Sequence, residues 1–147
     1  MDMVEERASE LDRFVGEWTI EMGFADAPIG RVTFEWMQGK RFLVERWEVP
    51  HPDAPDGIAI IGFDEPKGRY LQHYFDSRGV ARIYQMTFQN GEWNLWRETP
   101  DFSPLDFKQR FTGSFGSDGG TITGLWEICD DGSTWEQDFE LTYRKVM

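Results

Sequence analysis

The sequence predicts an all-β domain, a closed antiparallel meander barrel of about ten strands with one short helix at its N-terminus. Three observations predict it. Helical spacing is confined to the first fifteen residues; residues of period two begin at Trp18; and turn signals then recur at the intervals of a meander. No Gly/Ser linker or repeat interrupts 1–147, so a single domain is expected.

Val4, Ala8, Leu11 and Val15 fall near one helical face, and Ser9 with Asp12 has the form of a capping pair. Trp18, Ile20, Met22 and Phe24 then alternate with Glu17, Thr19, Glu21 and Gly23, the pattern of a half-buried strand. Punctuation follows at Pro28/Gly30, Gly39, Pro50 to Gly57, Pro66/Gly68, Arg78-Gly79, Asn90-Gly91, Pro100 to Pro104, Asp118-Gly119 and Asp131-Gly132. So many strands behind one helix favour closure, which removes exposed edges.

Turn length sets register, and register decides which side chains share a face. Two-residue turns at Arg78-Gly79 and Asn90-Gly91 would bring Leu71, His73, Phe75, Arg82, Tyr84, Met86, Phe88, Trp93, Leu95 and Arg97 inward. His73, Tyr84 and Arg97 would then form one row across three strands. Further on, Phe111, Trp126 and Gln137 group together above Phe115, Ile122 and Leu141, while Arg110, Thr112, Thr123, Glu127, Glu136, Asp138 and Glu140 make the solvent face. Around Gly39-Lys40, Phe34 and Trp36 would carry Leu43, Glu45 and Trp47 inward with them.

Seven Trp and twelve Phe supply ample core material. The net charge of −12 disfavours phosphate backbones and anionic lipid, so neither nucleic acid nor a membrane surface is an expected partner. Cys129 is the only cysteine, so neither an intrachain disulfide nor a cysteine metal cluster is expected. The acidic opening MDMVEERASELDRFV lacks the apolar run of a secretory signal, and a cytoplasmic location is expected.

The informative feature is polarity on the inward face: Glu45, His73, Arg82, Tyr84, Arg97, Gln109 and Gln137. Buried polar groups need partners. These either satisfy one another in a filled barrel or line a cavity. The second alternative makes the chain a binding module for a small amphipathic or acidic molecule, with Trp36, Trp47, Trp126 and Phe111 as apolar wall. Asp76 and Arg78 in DSRG read as turn residues or as a rim pair, and His51 lies in the proline-rich loop PHPDAPDG. No G-x-S-x-G, P-loop or Cys-His pairing points to an enzyme, leaving only His73 as a candidate acid/base.

Gly16-Glu17-Trp18 after a short helix resembles the G-x-W start of lipocalins, and Leu141-Thr142-Tyr143-Arg144-Lys145 resembles the last strand of calycins. Val32-Thr33-Phe34, Gly39 and Phe42-Leu43 extend the likeness to bacterial lipocalin-like domains of uncharacterised role and, more distantly, to nitrobindin-like proteins. The resemblance implies a ten-stranded ligand-binding barrel, with Arg144 or Lys145 crossing Trp18. In nitrobindin-like proteins a histidine of the last strand holds haem; the matching residue here is Asp138, so no cofactor is expected, and only His73 could substitute as haem ligand. The large residues Tyr70, Tyr74, Trp96 and Leu125, expected outside, suggest a homodimer contact.

Overall fold

The structure is a computed structural model that describes residues 3–23, 28–101 and 106–146. Phe24, expected in the first strand, lies outside the described residues. One helix, α1 (Met3–Glu10), leads through a 3-10 turn (Leu11–Phe14) into ten strands: β1 (Gly16–Met22), β2 (Gly30–Trp36), β3 (Phe42–Glu48), β4 (Gly57–Asp64), β5 (Arg69–Asp76), β6 (Ala81–Gln89), β7 (Glu92–Arg97), β8 (Lys108–Phe115), β9 (Thr121–Cys129) and β10 (Glu136–Lys145). Each strand pairs antiparallel with its sequence neighbours, and β1 pairs with β10 to close the barrel. That is the meander expected from the turn spacing. No helix among the described residues is long and apolar enough to cross a membrane.

The helix is packed as a plug rather than capped as expected. Ser9 Oγ donates to the Glu6 carbonyl within the helix, and the Asp12 carboxylate accepts from Trp36 Nε1 at 2.7 Å. Phe14 then enters the barrel end, within 5.2 Å of the Phe34, Phe88, Trp93 and Phe115 ring centroids. Trp18 is buried beside this cluster, and its indole N–H donates to the Phe14 carbonyl at 2.8 Å. Lys145 is the residue that crosses it, its Nζ 5.4 Å from the ring centroid. Arg144 falls on the other face of β10 and pairs with Glu21 at 3.5 Å, which corrects its assignment to Trp18.

Three turns decide which faces point inward. At Asn90-Gly91 both residues have positive φ, as a type I′ two-residue turn requires, and Met86 opposes Leu95 while Phe88 opposes Trp93. At Gly39-Lys40 the expected register also holds, with Phe34 opposite Glu45 and Trp36 opposite Leu43. The DSRG turn differs. Asp76 N–H bonds to Val80 O across a three-residue loop, Ser77 to Gly79, in which Gly79 takes φ +84°. One extra residue moves the whole of β5 by one: Tyr84 opposes Gln72, and His73 opposes Ile83. Consequently Tyr70, Gln72, Tyr74 and Asp76 face the interior, while Leu71, His73 and Phe75 face out.

A second correction lies in β10. Its pairing with β9 shifts between Gln137 and Phe139, so Gln137 opposes Glu127 and is exposed rather than beside Trp126. Phe139 takes the place opposite Trp126, and Leu141 and Tyr143 continue inward. A bulge of this kind adds one residue to one strand and re-aims the side chains beside it.

Candidate functional site

The aromatic plug fills the helix end of the barrel, and a cavity of about 330 Å³ occupies the opposite half. It runs from buried Glu45 and Tyr143 out to exposed Arg78 and Asp138. One wall is aromatic. Trp126 stands 5.1 Å from Phe111 and 5.5 Å from Tyr84, and Trp47 stacks on Tyr74 at 5.3 Å, all between ring centroids. Ile20, Met22, Leu95 and Leu141 add aliphatic surface.

The polar residues sort into two kinds. Some are tied to protein partners. Arg97 makes a two-pronged pair with Asp101, both contacts 3.0 Å, and Asp101 Oδ2 also accepts from the Ile83 backbone at 2.8 Å. Both side chains are at least nine-tenths buried, so this pair belongs to the frame of the barrel and not to the cavity wall. Tyr74 donates to Asp76, which pairs with Arg78 at 2.7 Å. Burial opposes the Asp76 charge, yet hydrogen bonds from Arg78 and Tyr74 hold its carboxyl below the usual range. DSRG is thus both an ordinary turn and a rim pair.

Others face the cavity with capacity to spare. Gln109 Oε1 accepts from Tyr84 Oη at 3.0 Å and from Arg82 Nη1 at 3.1 Å, and burial pushes the Tyr84 hydroxyl up. Arg82 has no carboxylate within 4.0 Å among the described residues, and its Nε is buried without a hydrogen-bond partner. Gln72 Oε1 is buried and unpartnered as well. Glu45 is 5% exposed, and burial raises its carboxyl to about 8.

Of the residues expected at a site, the cavity gathers Glu45, Arg82, Tyr84, Gln109 and Trp126. It does not gather His73, Arg97 or Trp36. His73 stands on the outer face of β5, Arg97 is turned to Asp101, and Trp36 is held by Asp12 under the helix. The row of His73, Tyr84 and Arg97 therefore dissolves. A haem bound in the cavity through His73 does not fit this arrangement, because the imidazole is on the wrong side of the sheet. The same holds for His73 as an acid/base acting in the cavity. The outward set is corrected too: Tyr70 and Tyr74 are interior, leaving Trp96 and Leu125 of the four residues suggested for a dimer contact.

Sequence reasoning missed Gln72, Tyr74, Phe139 and Tyr143. A signal for the first two was present. Asp at the first and Gly at the fourth position of DSRG is the signature of a type I turn closed by a left-handed glycine, which makes a three-residue hairpin. The β10 bulge carries no comparable mark. The chain matches no protein-family model, and no curated protein matches it.

Proposed function

We propose that the barrel binds a small amphipathic molecule, its anionic head on Arg82 and its apolar body along Trp126, Phe111 and Leu95. The observation that carries this reading is an arginine without an acidic partner among the described residues, set in the wall of a largely aromatic cavity. Arg82 is half-buried, with its Nε fully enclosed. An enclosed donor costs free energy unless an acceptor meets it, and the hydrogen bond from Nη1 to Gln109 and the Phe107 ring 5.8 Å from Cζ leave that Nε unmet. The volume, about 330 Å³, stands at the lower end of ligand pockets and suits a molecule of modest size. A cytoplasmic carrier or sensor of the calycin type is the role this reading supports, in keeping with the G-x-W start and the Leu141–Lys145 ending.

The reading is tested by calorimetric titration with decanoate. Binding is expected, and Arg82→Met should weaken it roughly tenfold to a hundredfold, the worth of a hydrogen bond to a charged group. His73→Ala should leave it unchanged. No heat of binding, or equal affinity in Arg82→Met, overturns the reading.

A further inference from the structure

Glu45 and Tyr143 are a buried carboxyl and a buried phenol that line the same cavity, and neither makes a side-chain hydrogen bond within the described residues. Each is 5% exposed. The strands flanking Glu45 place Phe34 and Ala59 beside it, and neither can ionise or hydrogen-bond through its side chain. Tyr143 is wedged with its ring centroid 5.9 Å from that of Trp93. The other ionisable groups lining the cavity are Tyr74, Tyr84, Arg78, Arg82 and Asp138; Arg78 and Asp138 are exposed. No arginine or lysine stands within 4.0 Å of the Glu45 carboxyl among the described residues.

We propose that this inner part of the cavity recognises an uncharged acceptor oxygen of the ligand, the carbonyl of a ketone or ester, with Glu45 donating as a protonated carboxyl and Tyr143 donating through its hydroxyl. The proposal deepens the amphipathic-ligand reading and rests on it: it names a second polar group on the ligand, placed along the apolar body away from the head.

The physical case is one of unmet donors. An unpaired carboxylate in such surroundings is far costlier than the neutral acid, so Glu45 holds its proton at neutral pH. Burial raises it to about 8, and burial followed by the nearness of Glu45 raises the Tyr143 hydroxyl well above its ordinary value. Two neutral O–H groups then border one space, and neither is hydrogen-bonded to a protein acceptor among the described residues, although Gln72 Oε1 lines the same cavity. A carbonyl oxygen has two lone pairs and can meet both without bringing charge into the interior. An ammonium group would instead require Glu45 to ionise.

The test compares decanoate with three isomeric oxodecanoates that differ in the position of the keto group, by calorimetric titration of the full chain. In the wild type below pH 8, at least one oxo isomer should bind roughly tenfold more tightly than decanoate, the worth of a neutral hydrogen bond. Glu45→Leu should abolish that preference, and Glu45→Gln, whose amide still donates, should keep most of it; near-UV circular dichroism verifies that both variants are folded. The preference should fade as pH rises through about 8, where the Glu45 proton leaves. Decanoate binding without any gain from a keto group overturns the proposal and leaves the amphipathic-ligand reading standing. So does a preference that survives in Glu45→Leu, or an amino-substituted decanoate that binds more tightly than every oxo isomer well below pH 8, where Glu45 should hold its proton. A further titration, with decanone, lacks the anionic head. If decanoate fails to bind but decanone binds in the wild type and not in Glu45→Leu, the carbonyl site holds and the Arg82 reading falls.

Discussion

The ring of Trp47 lies across the α-carbon of Gly57, so close that a β-carbon built on Gly57 would stand 2.2 Å from Trp47 Cζ2. The two residues oppose each other where β3 meets β4. Trp47 is held there by its indole N–H, which donates to Pro55 O at 3.1 Å, and by stacking on Tyr74. The absence of a side chain at one position therefore allows the aromatic wall of the cavity at the other.

Gly57→Ala should displace that ring. The expected cost is about 1–3 kcal/mol, the range for overpacking a fitted interior, seen as a lower midpoint in urea unfolding together with a shift in tryptophan emission. In the background of Trp47→Ala the same substitution should cost less but not nothing, because the ring is gone while the Phe75 carbonyl oxygen still stands 2.6 Å from the added β-carbon. Equal costs in both backgrounds would show that the close approach is not what requires glycine at 57.

Trp18 and Lys145 should differ sharply in weight. Trp18 is 1% exposed, and Trp18→Ala should cost roughly 3–5 kcal/mol, as for deletion of a buried aromatic. Lys145→Met keeps the aliphatic stem and removes only the cation over the ring, worth about 0.5–1 kcal/mol at an exposed position. Denaturant unfolding of both variants checks the order; an unchanged midpoint in Trp18→Ala would contradict its place in the barrel floor.

Glu45 should impose a pH dependence of definite sign. Its folded-state value is raised from 4.5 to about 8, so between these limits the folded chain holds a proton that the unfolded chain has released. The stabilisation is fully present below pH 4.5, falls as pH rises, and is lost by about pH 8. Glu45→Gln should lack this decline, so the stability difference between variant and wild type should widen in favour of the variant across that window. Parallel unfolding curves at every pH would mean that Glu45 is charged when folded. Asp76 and Asp131, both held below their ordinary values, act with the opposite sign and at more acid pH, outside this window.

The sequence by itself determined the strand count, the meander order, the N-terminal helix and most of the interior. Period-two alternation and turn residues are local properties, and in Trp18, Phe34, Glu45, Tyr84, Trp93 and Phe111 they agree with the faces the barrel adopts. The Asn90-Gly91 register was legible because positive φ at two successive residues admits few turn types.

Only the tertiary structure decided where the interior is empty and which polar groups remain unpaired. In DSRG, Asp76 reaches forward to the Arg78 backbone at 2.9 Å and Gly79 adopts positive φ; that one extra loop residue put Gln72 and Tyr74 where His73 had been expected. The bulge between Gln137 and Phe139 acted likewise on β10 and brought Asp138 to the cavity rim. Because side chains alternate, a single residue gained or lost at one turn reverses every face on that strand, while the apolar pattern on either side changes little. Nor does any local pattern announce that Asp101 claims Arg97 while no residue of the described chain brings a carboxylate to Arg82. Pairing of buried charges depends on loops arriving from elsewhere in the chain, and the cavity is what remains after those pairings are made.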